Sequence, residues 1–173
     1  MKPPMQARER RFLELSHAVD QLIADSSGLP FPQVEPALKA LETRLSRQAA
    51  SHPERTEIRR RIAEALFTEA YARDCPWPVL GRTLRRIQRL GYSNVERRYH
   101  VAALYALWCH RHPEHPGREA RRLLDDAQRS LMRLPRRHAH RRELLERLAG
   151  LRTRTGFNPA LRQAPPKRRR RSP

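Results

Sequence analysis

Arg82, Arg85, Arg86 and Arg89 recur at i, i+3, i+4 and i+7, a spacing that puts four guanidinium groups on one face of a helix. A guanidinium is a planar fork of donors that fits two oxygens of a phosphate, so the chemistry on offer is polyanion binding rather than bond making. No acidic residue is interleaved on this helix, and four like charges repel until a counter-charge arrives. Arg97 and Arg98 follow at the start of the next helix, and Tyr92 between them offers a ring on which a base can stack. Arg121 and Arg122 open a further basic helix, and Lys167, Arg168, Arg169, Arg170 and Arg171 add electrostatic affinity without specificity. Contacts of this kind hold backbone without reading sequence, and several of them cost ~10³-fold or more in affinity between 50 and 200 mM salt.

Other chemistries find less support. Cys109, His110, His112 and His115 lie close together, but helical spacing throws Cys109 and His110 about 100° apart and no partner C-x-x-C exists, so no metal is expected. There is no P-loop, GxSxG, HExxH or Gly-rich turn, and His100 four residues after Glu96 reads as a solvated surface pair. The expectation is a non-enzyme with no cofactor.

Composition agrees with a folded, basic chain. The formal charge is +19 over 173 residues, distributed as +1 over residues 1–50, +10 over 51–150 and +8 over 151–173. Such an excess points to a polyanionic partner, RNA or single-stranded DNA ahead of a membrane, while the near-neutral first third suits packing and protein contact. Only Lys2, Lys39 and Lys167 are lysines, and a GC-rich genome also writes arginine, so placement rather than number must carry the argument. No stretch approaches the ~18 apolar residues of a membrane span, and MKPPMQARERR lacks a signal-peptide core. Two cysteines are too few for a disulfide framework, so a reducing cytoplasm is expected.

The elements that must position the arginines read as helices throughout. The first spans roughly residues 7–24, with Phe12, Leu15, Val19, Leu22 and Ile23 on one stripe. Val34, Leu38, Leu41 and Leu45 mark a second, with Pro36 in its first turn. Ser51 and Glu54 form a capping box for a third, whose inner face is Ile58, Ile62, Ala65, Leu66 and Ala70. Leu80, Leu84, Ile87 and Leu90 back the arginine stripe, Gly91 stops that helix, and Ser93 with Glu96 form a second capping box. The fifth helix, residues 94–110, is apolar on several faces and therefore central. A sixth, 118–134, turns Ala120, Leu123, Leu124, Ala127 and Leu131 inward, and a seventh, 138–152, carries Leu144, Leu145, Leu148 and Leu151. The expected fold is all-α: a single bundle of six to seven helices over residues 1–152, made of a near-neutral hairpin (1–50) and basic helices (51–152). A disordered basic tail over 153–173 should follow.

Over Leu80 to Tyr99 the sequence resembles the small-subunit family of the type I-E CRISPR surveillance complex, in which an L-G-x-x-L helix, a short loop and an E-R-R-aromatic helix start follow one another. The matching residues are Leu80, Gly81 and Leu84, then Glu96, Arg97, Arg98 and Tyr99, with AEALF before them and ARRLLDDA after. The resemblance implies a non-catalytic ribonucleoprotein subunit that self-associates, contacts other subunits and holds guide RNA and a displaced DNA strand, with Arg82, Arg85, Arg86, Arg97 and Arg98 on backbone. Two alternatives stand beside it. One is a stand-alone RNA chaperone of the ProQ/FinO kind, whose strand hairpin is not evident after His115. The other is a tetratricopeptide-like scaffold, suggested by the similar octets RRRIAEAL (59–66) and RRYHVAAL (97–104).

Overall fold

In the computed structural model, which describes residues 5–49 and 51–157 with side chains from 13 onward, seven helices and no strand are found among the described residues. They are α1 (Met5–Asp25), α2 (Phe31–Gln48), α3 (His52–Ala72), α4 (Trp77–Leu90), α5 (Val95–Arg111), α6 (Arg118–Arg133) and α7 (Arg141–Thr155). The all-α expectation holds. Consecutive helices pair as hairpins (α1 with α2, α3 with α4, α5 with α6), and the odd-numbered helices α1, α3, α5 and α7 touch one another in succession. That is the packing order of stacked helical hairpins, closed by a single last helix.

The two similar octets fall at equivalent places in this stack. Arg60, in the first, donates from Nε to the Leu90 carbonyl at the end of α4 (2.7 Å). Arg98, in the second, donates to Ser130 Oγ near the end of α6 (2.9 Å). Each arginine thus ties the first helix of a hairpin to the far end of the second. Ala63, Phe67 and Ala70 of α3 and Val101, Tyr105 and Trp108 of α5 are buried, so α3 shares the central position expected of α5 alone. The inner faces read for α3 and α6 are all buried in the structure.

Aromatic stacking joins the hairpins. The Trp77 ring lies 5.8 Å from both Tyr105 and Trp108 and 5.2 Å from His115, while Trp108 stacks on His112 at 4.2 Å. Gly81 makes room for this, because a Cβ there would sit 3.0 Å from the Trp77 indole. At the other end of the chain the buried Arg152 guanidinium bonds Asp125 (2.6 Å), Gln128 (3.1 Å) and the Phe157 carbonyl (2.9 Å), latching α7 onto α6.

Four boundaries differ from expectation. First, α2 begins at Phe31, so Pro36 lies in its second turn and leaves the Pro32 carbonyl without a helical donor; both prolines are exposed, where water satisfies that oxygen. Second, Asn94 rather than Ser93 caps α5, its Oδ1 accepting from Arg97 N–H at 2.8 Å. Ser93 is drawn away by the buried Glu64, whose carboxylate accepts both the Ser93 N–H (2.8 Å) and hydroxyl (2.8 Å). Third, α7 runs from Arg141 to Thr155 and stops at left-handed Gly156, three residues past the expected tail boundary. Fourth, residues 138–140 form a turn before it. The side chain of Phe12 and all of residues 158–173 lie outside the described residues.

Burial raises the Glu64 pKa against the opposing pull of Ser93, Arg97 and Arg61. A carboxyl whose folded pKa lies above its unfolded one adds stability that is fully present below the unfolded value and is lost as pH rises through the folded value. Glu64→Gln should therefore be at least as stable as the native chain at pH 7, with the difference shrinking toward pH 4. Glu64→Ala, which orphans the Ser93 donors, should lose ~1–3 kcal/mol. Urea unfolding at both pH values checks this, and a native chain more stable than Glu64→Gln at pH 7 would contradict it.

Candidate nucleic-acid interface

The helix order decides where charge collects. Arg73 donates to the Ser26 and Leu29 carbonyls (3.1 and 2.7 Å), Asp74 pairs with Arg111 (3.2 Å) and His112 (3.4 Å), and Trp77 meets His115. The loops α1–α2, α3–α4 and α5–α6 therefore share one end of the stack. The loops α2–α3, α4–α5 and α6–α7 fall at the other. That second end carries Arg44 and Arg47 from α2, Arg55 from α3, Arg85 and Arg89 from α4, Arg97 from α5, Arg133 at the end of α6 and Arg136 and Arg137 beyond it. All of them are exposed, and none makes an ion pair among the described residues. At the first end acids match several of the bases, Arg73 pairing with Glu69, Arg111 with Asp74 and Arg122 with Glu119, while Arg118 and Arg121 in the opening turn of α6 are exposed and unpaired.

The arginine stripe of α4 divides into two halves. At 100° per residue, Arg82 and Arg86 lean toward α2, Gln88 leans toward α6, and Arg85 and Arg89 occupy the ridge between them. Arg82 bonds Glu35 (3.0 Å), which also takes Lys39 (2.7 Å), and Arg86 pairs with Glu42. Gln88 donates to Glu119 at 2.9 Å. Two of the four like charges thus have partners: α2, in the near-neutral first third, supplies carboxylates to Arg82 and Arg86, and Arg85 and Arg89 stay free.

The other expected contacts are placed as follows. Arg97 is exposed and makes no ion pair, though Glu64 and His100 feel its charge. Arg98 is occupied, lying 4.9 Å over the Tyr92 ring and bonded to Ser130. Tyr92 therefore has one face covered by a guanidinium and packs against the core, so it is not the free stacking platform expected from the sequence. Arg121 is exposed and unpaired but sits on the first turn of α6, away from the loop end that gathers the rest. Lys167, Arg168, Arg169, Arg170 and Arg171 lie outside the described residues. Sequence reading missed Arg44, Arg47, Arg55, Arg133, Arg136 and Arg137, whose common signal is a position beside an even-to-odd helix connection.

The remaining reactive groups are set in packing roles. Cys75 and Cys109 are buried, and burial raises both thiol pKa values. His100 makes no bond to Glu96 and is half-buried, which together with Arg97 lowers its pKa. Among the described residues no three His, Cys, Asp or Glu side chains converge as a metal site, and no helix is long and apolar enough to cross a membrane. No protein-family model, curated protein or solved structure matches the chain.

Both carboxylates are largely covered, each keeping 15% of its side chain exposed, so Glu35→Gln with Glu42→Gln should cost ~1–3 kcal/mol of stability while releasing Arg82 and Arg86. The double variant is expected to elute from immobilised heparin at higher salt than the native chain. Unchanged elution would mean that these two arginines do not reach a polyanion.

Proposed function

We propose that this chain is a non-catalytic, sequence-independent binder of nucleic-acid backbone that works as a stack of helical hairpins with one basic end. The observation that carries the reading is the gathering of exposed, unpaired arginines from α2 to α6 at the end holding the α2–α3, α4–α5 and α6–α7 loops. Surfaces that are merely soluble mix the signs of their charges, as the opposite end does. A cluster of one sign destabilises the fold through self-repulsion and is relieved by a polyanion, whose bound counterions are released in exchange. Guanidinium forks on a rigid helical frame suit phosphate oxygens along RNA or single-stranded DNA, and the frame leaves the bases unread.

The finer role, a subunit of a CRISPR ribonucleoprotein that holds guide RNA and displaced DNA among other subunits in the cytoplasm, is proposed on the Leu80–Tyr99 resemblance alone. Several residues of that motif have packing duties here: Leu80 and Leu84 are buried and Gly81 lies against Trp77. The odd-helix succession favours a second reading, a protein-binding scaffold of the tetratricopeptide type, because stacked hairpins present extended grooves.

A labelled mixed-sequence single strand, RNA and DNA in parallel, separates the two in a salt series. With the chain ending at Phe157, affinity should fall ~10³-fold or more between 50 and 200 mM salt. Arg85→Glu with Arg89→Glu and Arg97→Glu should abolish binding while leaving helicity intact. A shortened chain that binds neither strand would overturn the proposal in favour of the scaffold, and a triple variant that binds as well as its parent would overturn the assignment of binding to the basic end.

A further inference from the structure

Between the C-terminal half of α2 and the first turns of α3 lies a cavity of about 360 Å³ lined by Glu42, Thr43, Ser46, Arg47, Arg55 and Arg59. Its polar groups are unevenly satisfied. Arg47 and Arg55 are exposed and make no ion pair among the described residues. Ser46 Oγ is buried and has no hydrogen-bond partner. Other helical hydroxyls in this chain behave differently: those of Thr43, Thr56, Thr68, Ser130 and Thr155 each donate to the carbonyl four residues back, at 2.8–3.0 Å. The Ser46 hydroxyl is held out of that habit, and a buried hydroxyl left unpaired is costly. Glu42, the one acid lining the cavity, is already engaged by Arg86 and lies 4.0 Å from Arg59, so its charge is offset from within the protein.

We propose that this cavity is a phosphate seat, in which Arg47 and Arg55 bind the anion's oxygens and the Ser46 hydroxyl, closed off from solvent in the free chain, rotates about its Cα–Cβ bond to donate to it. The size and donor set fit a tetrahedral oxyanion with room for the chain attached to it, and two guanidinium forks arriving from two helices suit oxygens splayed tetrahedrally better than the flat pair of a carboxylate. The seat deepens the proposed function and rests on it for one source of ligand, a backbone phosphate of a bound strand; the other source is a free phosphate or phosphomonoester. It also assigns polyanion contact to the first third of the chain, where net charge is only +1.

The test titrates inorganic phosphate into the full chain, following the Arg47 and Arg55 Nε–H signals and the Ser46 amide by NMR at constant ionic strength. Saturable shifts confined to these residues are expected, abolished in Arg47→Gln with Arg55→Gln and weakened about fivefold in Ser46→Ala, the equivalent of one hydrogen bond of ~1 kcal/mol. A native chain with no saturable response overturns the seat, whatever the strand assay shows. A second arm measures strand binding by the same variants. A drop of about tenfold, with the salt slope reduced by ~1–2, supports the seat and assigns it to a backbone phosphate. A phosphate response with undiminished strand binding supports the seat and assigns it to a free phosphate. If the native chain binds neither strand while the phosphate response persists, the backbone-binding function fails and the seat stands.

Discussion

Short connections force each helix to return along the one before it, and this alternation governs everything else in the molecule. With three to seven residues between helices, successive elements can only run antiparallel. Every even-to-odd connection then lies at one end and every odd-to-even connection at the other. Arginines that are scattered along the sequence come to the same end of the stack by this rule alone, as Arg47, Arg89 and Arg133 do. The hydrophobic stripes of α3 and α5 supply the drive for stacking, and Trp77, Tyr105 and Trp108 fix how the hairpins meet.

Charge compensation is arranged asymmetrically over that frame. Glu35 and Glu42 of α2 take Arg82 and Arg86, Glu64 secures Ser93 beneath the α4–α5 loop, and Asp125 holds the buried Arg152. Each acid is spent where a base or loop must be placed precisely. At the basic end Glu57 takes Arg61 and Glu143 takes Arg147, but the arginines gathered from α2, α4 and the α6–α7 loop stay unpaired and repel one another in the free chain. Stored repulsion of this kind makes affinity for a polyanion large and steeply dependent on salt.

Much of the fold was legible from spacing. The inward residues of α6, from Ala120 to Leu131, follow the helical period without exception, and the Ser51 cap is present as read, with Ser51 Oγ accepting from Glu54 N–H. Local rules failed where a distant group outbid them. The S-x-x-E pattern at Ser93 signals a cap, but a buried carboxylate 29 residues earlier claims that serine and Asn94 takes the cap instead. The site was half legible. Arg85 and Arg89 follow from periodicity and Arg97 from its place at a helix start, whereas the pairing of Arg82 with Glu35 spans 47 residues and has no local signature. Arg44, Arg55 and Arg136 belong to different helices and loops, so only the topology brings them together.

The central claim is that one end of the stack, and not a single helix face, meets the polyanion. Hydrogen exchange by mass spectrometry on the full chain, with and without a saturating single strand, tests it most directly. The account requires protection at residues 44–55, 89–97 and 133–141 together, with little change at 26–30, 73–76 and 112–117. Protection confined to α4, or centred on the second group of loops, would contradict it.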